Sequence, residues 1–366
     1  MDRENVLTAT RHGVTDTLER CRVVWGRTDR IAAPPALRVV TDAIYRPDIG
    51  TAPWNLTGPD GALLEGAGGS QAKAEACADA VPHLYLGALA AHYGHFLVGT
   101  LGRLWPLLDW RGPPPRLLCH ATGDPAALPF LAPILAAFGL TPDAVIRFDR
   151  PTRIPHLVLP APSLKEQAFA HAVHAGLVQA IGRPFWQNTV VDGTARPAYL
   201  SKARLVVGIS RLRNEAALEA ALARRGVDIV YPEKLELPDL VRLFSERRVV
   251  MGTTGSAFHT AAFAAPGRRI LGLNWAPHLN ANFPLLDALN HTRGRYYHPV
   301  GTESGPDEGF HFGWWVPDPD AVAEDLVHRA AHFDDLDAID ADQDAARRRI
   351  AQGPLAERVA RWLRRR

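Results

Sequence analysis

From Tyr199 to Leu273 the chain alternates short apolar runs with amphipathic stretches, and this rhythm restricts the possible folds more than any other feature. Tyr199-Leu200-Ser201 and Leu205-Val206-Val207 are both strand-like, and either can supply the first strand. Asn214 stands where it can cap a helix over 215–225, which Gly226 ends. Val227–Tyr231 reads as a strand, Leu237–Glu246 as a helix and Val249–Met251 as the next strand. A small-residue loop, a helix over 256–264 and a strand over 270–273 follow. Repeated strand–helix–strand units give a parallel sheet with ligands at the C-terminal ends of its strands.

The first half keeps the same rhythm less regularly. Strand-like runs occur at Leu37–Val40, His83–Leu86, Arg116–Cys119, Ala144–Ile146 and Leu157–Leu159. Phe96, Leu97, Leu101, Leu104, Leu107 and Leu108 recur at helical spacing, and Pro113-Pro114-Pro115 stops that helix. A second helix is expected over 128–138, and the Gly/Ala-rich stretch 57–80 reads as a surface excursion. The expected architecture is α/β, with two Rossmann-like domains facing a cleft. Their expected limits are residues 1–188 and 189–345, with a basic C-terminal helix over 346–366.

Composition narrows the function. Among 366 residues, 41 Lys and Arg nearly balance 39 Asp and Glu, so there is no broad electrostatic ground for binding nucleic acid. Cys21, Cys77 and Cys119 form no C-x-x-C pair, which argues against a disulfide framework or a cysteine zinc site. The uncharged stretches 80–102 and 125–142 contain prolines, and the first also contains histidines, so they read as buried segments rather than membrane spans. No apolar targeting segment opens the sequence, and a cytoplasmic location is expected.

The strongest local site is Met251-Gly252-Thr253-Thr254-Gly255-Ser256-Ala257-Phe258-His259. A strand ends, two glycines allow a tight turn, and a helix begins near Ser256. Free N–H groups at such a start favour a phosphate or diphosphate. The run is neither G-x-G-x-x-G nor a Walker loop, so a tight connection with nothing bound stands as the alternative. Upstream, Lys202, Arg204, Arg211 and Arg213 can neutralise a leaving diphosphate as a group, although each alone reads as part of a solvated basic loop.

Tyr199-Leu200-Ser201-Lys202, Asn214-Glu215, Pro232-Glu233 and Gly255–His259 resemble, in order and spacing, the successive motifs of glycosyltransferase family 61. His92-Tyr93-Gly94-His95-Phe96-Leu97 followed by Leu101-Gly102-Arg103-Leu104 is similar to that family's histidine motif. The likeness runs from about His83 to Leu273, and its weight lies in the ordered set. Lys202 stands where the family usually carries arginine, and His92 where it usually carries asparagine. The resemblance implies a GT-B-like fold, a nucleotide-sugar donor, inversion at the anomeric carbon, and no cofactor or bound metal.

On that resemblance, donor binding is expected from Lys202, Arg204, Arg211, Asn214, Glu233, Gly255, Ser256 and His259, and catalytic roles from His95 and Glu215. Lysine cannot form arginine's bidentate fork on phosphate, which bears on Lys202. Glu215 or Glu233 can hold ribose or sugar hydroxyls. His95 is either a base or acceptor-binding group, or a core histidine on an apolar helix. His259 either reaches the donor phosphates or packs beneath the turn. The expected acceptor is a glycan or lipid-linked oligosaccharide in bacterial-type polysaccharide or capsule assembly. The basic C-terminus offers weak contact with an anionic membrane surface, peripheral to the inner membrane.

Other features compete with this reading. Arg11-His12-Gly13 resembles a histidine-phosphatase signature, although no second such motif follows. A non-catalytic scaffold in a polysaccharide assembly complex is the third possibility. Asp318-Pro319-Asp320 fits a metal-binding D-x-D pattern, but aspartate followed by proline is also how a helix starts, and that structural role is preferred. The six aspartates between Asp334 and Asp344 read as a solvated acidic turn.

Overall fold

The computed structural model describes residues 17–48, 53–67, 72–121, 123–191, 195–205, 210–305 and 312–352. Arg11-His12-Gly13 and the basic residues beyond 352 lie outside them.

The second half forms a sheet whose parallel strands are Ala198–Leu200, Asp228–Val230, Val250–Thr253, Arg269–Leu273 and Arg293–Pro299. Counted along the chain, they lie side by side in the order second, first, third, fourth, fifth. Alternating side chains send the sheet's two faces into different cores. Tyr199, Met251 and Leu271 pack with Leu218, Leu222 and Leu326 on one face. Leu200, Val250 and Ile270 pack with Leu240, Phe244 and Phe258 on the other. Helices therefore cover both sides. The helix Glu215–Arg224 ends before Gly226, whose φ of 79° is the left-handed conformation expected there.

The first half builds a mixed sheet. Four of its strands, His83–Ala88, Arg116–His120, Val145–Ile146 and Thr152–Pro160, run parallel in the order third, second, first, fourth. Leu37–Arg46, Asn55–Thr57 and Leu63–Gly66 extend it as antiparallel strands. Two of these strands fall within the expected surface excursion or at its edge.

A helix over Ala172–Trp186, absent from the sequence reading, joins the two halves. His174, Leu177, Val178 and Ile181 are buried at helical spacing. One core cluster contains Leu177 and Ile181 together with Leu84 and Phe96 from the first half and Val241, Phe263 and Leu285 from the second. At Gly182 an added Cβ would lie 1.7 Å from the Phe263 carbonyl oxygen. The halves are thus packed backbone against backbone.

Several expectations are corrected. The helix expected across 96–110 is divided into the α-helix Tyr93–Val98 and the 3-10 turns Thr100–Arg103 and Trp105–Asp109. Gly99 interrupts the first piece with φ −123° and ψ −84°, and Pro106 supplies no N–H to continue a ladder. The helix expected over 128–138 is shorter, Leu131–Ala136. The one over 256–264 is a single α turn, Ser256–His259, followed by the 3-10 turn Thr260–Phe263.

The acidic run is not a solvated turn but the start of the helix Leu336–Gln352 and the turn before it. Asp334 pairs with Arg269 and Arg293, and Asp337 with Arg20 and Arg295. Asp340 is buried, accepting from Arg329 Nη1 at 2.8 Å and Arg20 Nη1 at 3.2 Å. Arg329, wholly buried, also donates to Asp325 and Gln343, each at 2.8 Å. Asp325 in turn accepts the Leu18 N–H at 3.1 Å. The strand Leu18–Arg20 thereby closes the edge of the second sheet, antiparallel to Arg293–Pro299. Asp318 does start a helix, accepting from the N–H groups of Asp320 and Ala321. No described helix is long and apolar enough to cross a membrane.

Candidate functional site

In the second sheet the first strand lies between the second and third, so successive connections leave in opposite directions from the gap between Leu200 and Thr253. Such a switch point opens a crevice at the carboxyl ends of the strands. Two of the sequence motifs meet here. The Lys202 N–H donates to Glu215 Oε1 at 3.2 Å, and its Nζ donates to the Thr254 carbonyl at 2.5 Å. A Cβ on Gly255 would lie 2.8 Å from Lys202 Nζ. Gly255 has an extended backbone, with φ 174° and ψ −179°, so what glycine supplies there is room for the lysine. Burial pulls the Lys202 ammonium down to about 8, with the Glu215 charge opposing.

Glu215 lies under this loop, 2% exposed, where Oε1 also accepts the Tyr199 hydroxyl at 3.0 Å. Burial raises its carboxyl above the usual range, against the hydrogen bonds from Lys202 and Tyr199. Asn214 occupies the capping position without capping. Its Nδ2 donates to the Val316 carbonyl at 2.8 Å, and its Oδ1 accepts the Val316 N–H at 3.2 Å. Arg204 is exposed, its guanidinium 3.8 Å from the centre of the Tyr231 ring at the end of the second strand. Glu233 is exposed in the turn Pro232–Lys234 just beyond. Arg211 is partly buried on the short strand Arg211–Leu212, which runs parallel to Gly313–Trp315.

The histidine motif of the first half reaches the same place. A Cβ on Gly94 would lie 2.8 Å from Ser256 Cβ, and the Tyr93 hydroxyl lies 2.8 Å from Thr260 Oγ1. His92 and His95 are both exposed, with ring centres 5.1 Å apart, so His95 is not a core histidine. Burial of part of its ring, with His95 alongside, holds His92 below the ordinary imidazole value. His259 packs beneath the turn, its ring centre 4.9 Å from Phe283 and its Nδ1 buried without a partner. Burial brings its pKa down to about 4, so it is neutral near pH 7.

Gly94→Ala tests this contact. The added methyl must push the Tyr93–Val98 helix away from Ser256, at a cost of about 1–3 kcal/mol. The expected outcome is a folded protein, melting a few degrees lower, whose turnover falls at least tenfold. Undiminished turnover would show that the contact has no part in the chemistry.

The structure thus brings Lys202, Gly255 and Ser256 together with the His92–His95 motif, and sets Arg204 and Glu233 on the neighbouring strand end. It holds Glu215, Asn214 and His259 within the supporting framework. The sequence reading gave no site role to Tyr231 or Asn274, and named Thr254 only as part of the glycine loop. Thr254 Oγ1 donates to Asn274 Oδ1 at 2.7 Å, linking the ends of the third and fourth strands. Tyr231 carried a signal, being the aromatic residue directly before Pro232-Glu233. Two surface depressions, of about 490 and 340 Å³, lie elsewhere, one beside Asn188 and Glu246 and the other between Asp79 and Asp143. No motif residue lines either.

Residues 93–271 match the family described as Glycosyltransferase 61. No curated protein matches the chain. Through this region, which runs from the histidine motif past Gly255–His259 to the fourth strand of the second sheet, the chain is similar to glycosyltransferase family 61.

Proposed function

We propose that the chain is an inverting glycosyltransferase of GT-B-like architecture, moving a sugar from a nucleotide-sugar donor to a glycan or lipid-linked oligosaccharide acceptor. One observation carries this reading. The Lys202 and Gly255–Ser256 loops meet at a sheet switch point, and the histidine motif of the other half packs directly on Ser256.

The chemistry follows from that placement. The acceptor hydroxyl attacks the anomeric carbon from the face opposite the leaving group, and a new C–O bond forms as the bond to the diphosphate breaks. The electron pair of the broken bond leaves with the nucleoside diphosphate, whose charge Lys202, Arg204 and Arg211 stabilise through charge-assisted hydrogen bonds. The hydroxyl proton passes to His95, exposed on the acceptor side. Glu233, exposed at the end of the second strand, suits ribose hydroxyls. Glu215 acts as a positioning residue, fixing the Lys202 backbone from below. The reading includes activity without a bound metal, a cytoplasmic setting in polysaccharide or capsule assembly, and contact with a membrane surface through the basic C-terminus.

Thermal unfolding against nucleotides and nucleotide sugars, with and without magnesium or manganese, tests the reading. A ligand at 100 times its Kd adds about 2.7 kcal/mol and raises the Tm visibly. Selective stabilisation by one nucleoside diphosphate and its sugar conjugates, without metal, is expected. The affinity should also carry the signature of Lys202. With its pKa near 8, the ammonium is charged below that value, and binding above it requires proton uptake. Diphosphate affinity should therefore fall as pH rises through about 8, approaching tenfold per unit for one linked proton. Lys202→Arg should remove that fall, because guanidinium stays protonated. Absence of stabilisation by any nucleotide would favour the scaffold reading.

A further inference from the structure

The fourth strand of the second sheet ends at Leu273, and the next two residues form a fixed ledge. Asn274 is buried, and every polar atom of its side chain is engaged: Oδ1 accepts from Thr254 Oγ1, while Nδ2 donates to the carbonyls of Ala276 and His278 at 2.7 and 3.0 Å. Its own N–H donates to the Tyr297 carbonyl at 2.7 Å. The Cys21 thiol adds a 3.4 Å contact to the Ala276 carbonyl. This backbone cannot shift without breaking several bonds.

On the ledge stands Trp275, its ring 36% exposed above an anchored backbone. Phe312 meets it edge-on, with ring centres 4.6 Å apart and an interplanar angle of 67°. An edge-on neighbour braces the indole without covering it as a stacked ring would. The Phe312 carbonyl accepts the Arg211 N–H at 3.2 Å, so a residue of the basic group is tied to the same brace.

Position decides what would lie against that ring. In open α/β sheets a ligand occupies the crevice at the switch point, and in the related dinucleotide-binding sheets the ribose is held near the end of the second strand. That end carries Tyr231, Arg204 and Glu233. A diphosphate at Lys202 and Gly255 would then direct the other end of the donor across the third strand towards the fourth. Adjacent strands are about 5 Å apart, so Trp275 lies about one strand spacing beyond the Thr254 loop. A pyranose ring presents a flat array of C–H bonds that suits an indole face, whereas its hydroxyls need polar partners at the edges.

We propose that Trp275, braced by Phe312 and held by Asn274, is the shelf on which the transferred sugar ring of the donor stacks. This assignment rests on the glycosyltransferase reading above and adds the orientation of the donor: nucleoside over the second strand, sugar over the fourth.

Calorimetric titration of the full chain separates the possibilities. Uridine, guanosine and thymidine diphosphates and their hexose and pentose conjugates are compared on wild type, Trp275→Ala and Trp275→Tyr. In Trp275→Ala the free diphosphate that binds wild type should keep its Kd within about twofold, showing that the fold and the phosphate site are intact. The sugar conjugate should weaken about tenfold, and Trp275→Tyr should recover most of that loss because it restores an aromatic face. Equal weakening of diphosphate and conjugate would make Trp275 a nucleobase shelf and overturn the assignment. An unchanged conjugate Kd in Trp275→Ala would overturn it too, while leaving the glycosyltransferase reading standing. Failure of wild type to bind any of these ligands would remove both.

Discussion

Arg329→Ala should lower the stability of this protein by about 3–5 kcal/mol near neutral pH, with a smaller loss in mild acid. The guanidinium is wholly buried and engages Asp325, Asp340 and Gln343 at once, while also lying 4.2 Å from the centre of the Tyr297 ring. Removing it leaves Asp325 enclosed without its cation and Asp340 with Arg20 as its remaining cationic partner. Even with Arg329 present, burial lifts the Asp325 carboxyl to about 6, and the arginine only partly offsets this. The sign of the pH dependence follows. A folded-state value above the unfolded one means that the folded chain keeps a proton which the unfolded chain releases, so stability falls as pH rises between about 4 and 6. Losing the arginine raises the folded value further and extends that window upward. Denaturant unfolding at pH 5 and pH 7.5 should therefore show a larger difference from wild type at the higher pH. A loss below about 1 kcal/mol at pH 7.5 would mean that the network contributes little.

Gly182→Ala should be at least as damaging, for a steric reason. The new methyl would lie 1.7 Å from the Phe263 carbonyl oxygen and 2.6 Å from its carbon, and backbone cannot rotate away as a side chain can. That oxygen also accepts Trp186 Nε1 at 3.0 Å. Relief requires the helix Ala172–Trp186 to separate from the turn Thr260–Phe263, at a cost of about 3 kcal/mol or more. In a chain of this size the Tm should fall by roughly 4 °C or more. Because Thr260 in that turn meets Tyr93, turnover should fall with stability. Gly176→Ala supplies the control on the same helix, since its nearest neighbour, Leu108 Cδ1, would be an ordinary 3.6 Å away. That variant should be neutral or slightly more stable. Equal melting temperatures for the two variants would show that the halves are not held by this contact.

The parallel strands of the second sheet from Ala198 to Leu273 were legible because short apolar runs alternate with helices, although their lateral order, with the first strand between the second and third, was not. The helix Ala172–Trp186 has no counterpart in the sequence reading, although His174, Leu177, Val178 and Ile181 recur at helical spacing. The aspartates from 334 to 344 were misread because their arginine partners are distant in sequence: Arg20 binds Asp337 and Asp340 across more than 300 residues. At the site, ordered motifs singled out Lys202 and Gly255–His259, whose loops meet in the structure. They could not show that Glu215 lies beneath the loop, nor that His95 is exposed, because burial depends on what the other half of the chain places alongside. Trp275 gave no signal at all, since a lone tryptophan after a strand usually enters a core.

The strand Leu18–Arg20 has a consequence for how the molecule is made. Its partner strand runs from Arg293 to Pro299, so the pairing must await nearly the whole intervening chain. At about 5–20 residues per second, the first of these segments leaves the ribosome tens of seconds before the second exists. Throughout that interval the far edge of the nascent sheet has no strand to cover it, and Asp325 and Arg329 have not yet been synthesised. Assembly therefore includes the return of an early segment to a late one. A chaperone that shelters residues near Leu18 during synthesis would act on yield without touching any part of the finished site.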